Sequence, residues 1–178
     1  MPRHVAFLRA INTGGRRVTN AQLAQAVTAA GLTDVGTFLA SGNVFYEAGP
    51  QDPAAEEELL EEALRTHLGF TSEAFVRTVQ DLEAILAAEP FAATDVAAAA
   101  TKVQIAFLRE ELDQTTSEAV HELATADDKL QVIGRELHWL PMTGVGRADL
   151  DWRRLDPLLG VATVRSINTV RRILPKLA

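Results

Sequence analysis

Val35-Gly36-Thr37-Phe38-Leu39-Ala40-Ser41-Gly42-Asn43-Val44-Phe45-Tyr46-Glu47-Ala48 is the stretch on which the fold turns. Val35 to Leu39 and Val44 to Ala48 read as strands, and Ser41-Gly42-Asn43 between them is turn chemistry, so a hairpin is predicted. Upstream, Val5, Ala6, Phe7, Leu8 and Ile11 make His4 to Ile11 a nearly continuous apolar run, the signature of a buried strand. Asn12-Thr13-Gly14-Gly15 breaks that run. Thr19 or Asn20 can cap a helix whose apolar positions Leu23, Ala26, Val27 and Ala30 follow helical spacing, with Gly31 as terminator.

Downstream, Gly49-Pro50-Gln51-Asp52-Pro53 is a loop that delivers a second helix. Glu56, Glu57 and Glu58 crowd its start, where the helix dipole favours acids, and Leu59, Leu60, Ala63, Leu64 and Leu68 give it a buried face. Gly69 ends it, and Ala74 to Val79 is a fourth strand. The order is βαββαβ, the ferredoxin-like pattern, in which the first two strands run parallel with the third inserted between them.

The rest of the chain echoes this order. A short helix over Asp81 to Glu89 is stopped by Pro90, and an alanine-rich link follows. Then come a strand (Val103 to Leu108), a helix (Ser117 to Ala124) and a hairpin (Lys129 to Ile133 and Glu136 to Leu140, around Gly134-Arg135). A helical turn or two lies within Asp149 to Leu159, and Val164 to Leu174 reads as a last helix. The class expected is therefore α+β, with two ferredoxin-like halves of antiparallel or mixed sheets and packed helices. The halves are residues 1–90 and 91–178, the second of them closed by a C-terminal helix.

Composition bounds the function. The 178 residues contain no cysteine, which removes disulfides, thiolate nucleophiles and cysteine-based zinc or iron–sulfur sites. The opening apolar run is too short for a signal-peptide core, and no stretch reaches the ~20 apolar residues that span a bilayer, so a cytoplasmic protein is expected and a membrane partner is not. The net charge of −7 disfavours nucleic acid as a partner. The charge is segregated, however. Residues 1–33 carry four arginines and no acid, residues 147–178 carry seven bases against three acids, and the middle carries 21 acids against six bases.

The topology gathers polar groups at one sheet edge. The loop after the first strand and the turn after the second lie at the same edge in a βαββαβ unit, so Asn12-Thr13-Gly14-Gly15 is expected beside Ser41-Gly42-Asn43. Glycines let a backbone aim N–H groups at an anion, and Arg16 and Arg17 follow directly. The competing reading is two well-made turns with Asn and Ser satisfying local backbone.

Other motifs carry less. Thr143-Gly144-Val145-Gly146-Arg147 has G-x-G but Asp149 where a dinucleotide fingerprint needs glycine, and it lies outside a parallel βαβ unit. His4, His67, His121 and His138 are scattered, with no zinc-like spacing, so no metal and no cofactor is expected. Ser41 lacks the preceding G-x of a nucleophile elbow. The acidic run Glu56 to Glu62 reads as a solvated helix face, and Trp139 and Trp152 as packing residues.

Phe7-Leu8-Arg9-Ala10-Ile11-Asn12-Thr13-Gly14-Gly15, the Thr37 to Phe45 hairpin and Thr163-Val164-Arg165-Ser166-Ile167-Asn168-Thr169-Val170 together resemble the family known as domain of unknown function 1697. Its members show LRGIN-x-GG, SGNVVF and T-x-RNWNTV at these places. Ser166 and Ile167 depart from its Asn and Trp, and Ala148 from a Ser that often follows its G-x-G-R turn. The resemblance implies a bacterial cytoplasmic protein with two ferredoxin-like halves and implies no activity. It also implies that Arg9, Asn12, Gly14, Gly15, Ser41, Gly42, Asn43, Arg165, Asn168 and Thr169 form one ligand-binding surface.

The function expected is binding of a small anion or a nucleotide, free or within a nucleic acid, although the net charge disfavours the latter. The alternatives are an interaction module that forms a homodimer or holds a protein partner, and an enzyme, for which no residue stands out as nucleophile or base.

Overall fold

The computed structural model describes residues 2–49, 52–147 and 149–178, with Arg147 described by its backbone alone. Pro50 and Gln51 of the expected 49–53 loop, and Ala148, lie outside the described residues. The chain divides into two compact units, residues 1–83 with 172–178, and residues 84–171.

The first unit is built from β1 (Arg3–Leu8), α1 (Asn20–Ala29), β2 (Thr33–Phe38), β3 (Asn43–Glu47), α2 (Pro53–Leu68) and β4 (Ala74–Arg77). Its sheet has the order β2-β3-β1-β4 with every neighbouring pair antiparallel, so β1 and β2 run parallel with β3 between them, as the sequence predicts. Thr19 and Gln22 close a reciprocal capping box on α1. Asp52 caps α2 through the Ala55 N–H at 2.9 Å, Pro53 fills its first position, and Gly69 ends it at φ 74°. Leu23 and Val27 of α1 and Leu60 and Leu64 of α2 pack on Ala6, Leu8, Val44, Tyr46 and Val76 of the sheet.

The second unit repeats the design with β5 (Gln104–Leu108), α5 (Gln114–His121), β6 (Asp128–Ile133), β7 (Glu136–Pro141), α6 (Trp152–Leu159) and β8 (Ala162–Ser166). Its order, β6-β7-β5-β8, matches the first, again with antiparallel neighbours. Its core joins Leu108, Leu137 and Trp139 of the sheet to Val120, Leu155 and Leu159 of the helices. Each fourth strand feeds a further helix, α3 (Val79–Ala88) after β4 and α7 (Ile167–Ile173) after β8. The alanine-rich link coils into a short α4 (Ala93–Ala98).

Two sequence expectations change. The stretch Val164–Leu174 is not one helix: it is the end of β8 followed by α7. The strand escapes a pattern reading because its alternation is inverted, with Thr163 and Arg165 buried and Val164 exposed. Nor is the acidic run of α2 wholly solvated. Glu56 and Glu57 are buried. The Glu57 carboxylate accepts the Val76 N–H at 2.8 Å, and Glu61, one helical turn on, accepts the Ala74 N–H at 3.0 Å. These are backbone donors of β4, an edge strand that no further strand flanks, and buried donors need partners. Glu56 takes donors from His4 (2.7 Å), Tyr46 (2.9 Å) and the Gly49 N–H (3.1 Å).

Candidate functional site

The loop leaving β1 is braced by one side chain. The Asn12 amide donates to the Val18 carbonyl (3.0 Å) and the Ala40 carbonyl (2.8 Å), and its oxygen accepts the Val18 N–H (2.6 Å). Both halves of the amide are thus spent on tying the loop to its own far end and to the β2–β3 turn. Gly14 and Gly15 sit at φ 60° and 85° with open space where a Cβ would point. The adjacent Arg9 is half-exposed and reaches the Glu73 carboxylate only at 3.5 Å.

The β2–β3 turn does lie beside this loop, as expected, and it is a structural turn. Gly42 holds φ 81°, and a Cβ there would lie 2.6 Å from Ile11 Cγ1, so glycine is the residue that fits. The buried Asn43 donates to the Phe38 carbonyl (2.7 Å) and to Ser41 Oγ (3.1 Å).

The three C-terminal candidates belong to the second unit. Arg165 is only 9% exposed, and its guanidinium donates to Thr163 Oγ1 (2.9 Å) and the Val164 carbonyl (2.8 Å). Burial pushes it down to about 10, which leaves it a cation at neutral pH. Ser166 caps α7: its Oγ accepts the Thr169 N–H at 3.3 Å and meets the Thr169 hydroxyl at 3.1 Å. Asn168 is exposed and accepts from Arg171 at 2.8 Å.

Two concave sites emerge, and sequence reading finds neither whole. The first is a cleft of about 260 Å³ in the first unit, bounded by Arg16, Arg17, Gln22, His67 and Phe70. Its assembly follows from topology. Because β4 runs antiparallel to β1, the end of α2 comes to lie beside the loop leaving β1, and His67 stands in the last turn of α2. The Arg16 guanidinium lies 4.8 Å from the Phe70 ring centroid, a cation–π contact that orients it. Arg16, Arg17 and His67 are exposed, and no acid lines the cleft. The signal that could have found His67 and Phe70 is the predicted strand order itself, carried one step further.

The second site is a cavity of about 490 Å³ whose lining residues all belong to the second unit. Ile85, Leu86, Phe91, Val96, Val103 and Ile167 supply apolar wall, while Lys102, His138, Asn168, Arg171 and Glu89 supply the polar groups. Its size falls in the range of small-molecule pockets. His138 on β7 is 2% exposed, and burial pushes its imidazole down to about 4, so it is neutral at pH 7. Among the described residues, no group of three or more His, Asp or Glu is placed to hold a metal ion.

The family model described as "Protein of unknown function (DUF1697)" matches residues 1–138. The chain belongs to this family. The matched span covers the loop leaving β1, the basic cleft and the chain as far as His138. The solved structure of conserved bacterial protein SP0830 from Streptococcus pneumoniae is similar over 99% of this chain and 98% of that one, at 26% identity and a TM-score of 0.78. No curated protein matches the chain significantly.

Proposed function

We propose that this protein is a cytoplasmic module that binds a small phosphate-type anion, free or as part of a nucleotide, in the cleft of the first unit. One observation carries the reading: Arg16, Arg17 and His67 converge on a cleft that no carboxylate lines. Arginine gives paired N–H donors to a phosphate, and Phe70 holds one guanidinium in place beforehand, which lowers the ordering cost of binding. Asn12, Gly14 and Gly15 serve this site by shaping the loop rather than by touching the ligand. The Asn12 brace supports that division of roles, since its amide already has three backbone partners. The cytoplasmic placement rests on the absence of cysteine and on there being, among the described residues, no helix long and apolar enough to cross a membrane.

The test is calorimetric titration with phosphate, pyrophosphate and AMP at low and at moderate salt. Saturable binding that weakens with salt and falls at least tenfold in Arg16→Ala and Arg17→Ala supports the reading. Equal affinity in parent and both variants, or no binding by any of the three probes, overturns it.

A further inference from the structure

The second unit has a cavity of its own, lined by none of the residues of the arginine-rich loop. Buried polar side chains are almost always hydrogen-bonded, and a buried one without a partner calls for an explanation. His138 is 2% exposed as a residue, and among the described residues no hydrogen bond to its ring is found; its nitrogens are not sealed off, since the buried side-chain nitrogen left without a partner is Arg3 Nε. Burial is the sole cause of its lowered basicity, which agrees with a ring that faces no carboxylate and no carbonyl. It lines the 490 Å³ cavity, so the place where its partner would stand is the cavity itself.

The other lining groups define what that partner is. Most of the wall is apolar, from Ile85, Leu86, Val96, Val103 and Ile167, so the body of the ligand is apolar. A phosphate dianion would lose too much hydration in such surroundings. Two cations, Lys102 and Arg171, line the cavity against one acid, Glu89, which favours a single negative charge over a positive one. Arg171 is steadied by Asn168, to which it donates at 2.8 Å. We propose that this cavity binds a small carboxylic acid with an aliphatic or aromatic body, the His138 N–H and the Lys102 and Arg171 cations receiving its carboxylate.

The first unit supplies a control. Strand registers pair Val5 with Phe45 and Ile105 with His138, so the two side chains occupy equivalent sheet positions. Phenylalanine is therefore already used at this place in the fold, although opposite Gly36 where His138 faces Gln131, and His138→Phe removes the polar anchor.

The experiment is a titration of the full chain with benzoate and with isovalerate, followed by the imidazole resonances of His138 and, separately, by calorimetry. Benzamide and inorganic phosphate serve as comparison probes. The expected result is a saturable shift of the His138 signals by both carboxylates. Affinity should fall at least tenfold in His138→Phe, in Arg171→Ala and in the cavity-filling Ala97→Trp, and stay unchanged in Arg16→Ala. No saturable response of wild-type His138 to either carboxylate overturns the proposal. So does equal affinity in His138→Phe and Ala97→Trp. Benzamide binding as tightly as benzoate overturns the assignment of a carboxylate. Loss in Arg16→Ala alone would move the binding to the cleft of the first unit and defeat this site while sparing that one.

Discussion

The two units share a sheet order, yet they use the same positions for different chemistry. Tyr46 and Trp139 are equivalent, paired with His4 and Gln104 on the central strands. Each is an aromatic ring with a polar tip facing a core, and a buried tip needs a partner. In the first unit the partner is Glu56 from α2, at 2.9 Å; in the second it is Asp128 from β6, at 2.7 Å. Burial, reinforced by the Glu56 carboxylate beside it, drives the Tyr46 phenol well above its ordinary range, so it stays a donor. The loops that leave the first strand of each unit diverge further. Arg9, Arg16 and Arg17 stand in one with no acid, whereas Glu110, Glu111 and Asp113 outnumber Arg109 in the other. A repeated fold thus fixes where a partner must be found and leaves open which element provides it and which charge the loops carry.

Removing the shared carboxylates tests this most severely. Glu56→Ala strands two side-chain donors and the Gly49 N–H, and should cost about 4 kcal/mol. Asp128 holds the Trp139 indole and the Asp149 N–H, so Asp128→Ala should cost less, about 3 kcal/mol. Urea unfolding followed by circular dichroism measures both. If Glu56→Ala is as stable as the parent, the buried cluster is not what holds α2 to its sheet.

The hairpin turns offer the next contrast. Gly42 and Gly134 both have positive φ, but a Cβ on Gly42 strikes Ile11, while one on Gly134 meets nothing closer than 3.7 Å. Gly42→Ala should therefore cost about 3 kcal/mol, left-handed strain plus overpacking, and Gly134→Ala about 1, strain alone. Equal losses would mean that Ile11 moves aside without penalty.

These examples also show what the sequence makes legible. The order βαββαβ could be read from the hairpin and its flanking helices because their apolar periodicities are clean. Strand β8 could not, since Thr163 and Arg165 face inward and Val164 faces out. The turn residues Asn12, Gly42 and Asn43 stand out in the sequence as turn chemistry. Their chemistry pointed to a ligand, whereas Asn12 and Asn43 bond to backbone carbonyls close at hand. His67 and His138 stayed unremarkable because a lone histidine gains meaning only from what the topology sets beside it. For His67 that is a pair of arginines about fifty positions upstream in the same cleft, far outside any local pattern window.

The equivalence of Phe45 and His138 predicts a pH effect confined to the second unit. The unfolded imidazole takes a proton near 6.5, the folded one only near 4. Between those values the unfolded state binds more protons, so this contribution is present above pH 6.5 and is lost as pH falls toward 4. Carboxylates titrate in the same window, and the comparison with His138→Phe subtracts them. From pH 7 to pH 4.5 the parent should lose about 2 kcal/mol more than the variant in urea unfolding, at about 1.4 kcal/mol per pH unit over most of the range. Parallel losses would show that His138 titrates normally and is not held in an apolar cavity.

The smallest contrast separates a cap from a ligand contact. Each fourth strand passes into its following helix through a pair three residues apart, Thr78 with Asp81 and Ser166 with Thr169. Asp81 accepts the Thr78 N–H at 2.8 Å and hydroxyl at 3.0 Å, and Thr78 Oγ1 takes the Asp81 N–H at 3.1 Å. Thr169 offers a hydroxyl contact at 3.1 Å, and its backbone N–H does not depend on its side chain. Asp81→Ala should therefore cost about 1 kcal/mol and Thr169→Ala about 0.5 kcal/mol, both by thermal unfolding. Thr169 lines neither the cleft nor the cavity, so Thr169→Ala should bind phosphate and benzoate as the parent does. A variant of parental stability that loses either probe would return Thr169 to the ligand surface on which its motif first placed it, and would make α7, rather than the β1 loop, the element that tells the two units apart.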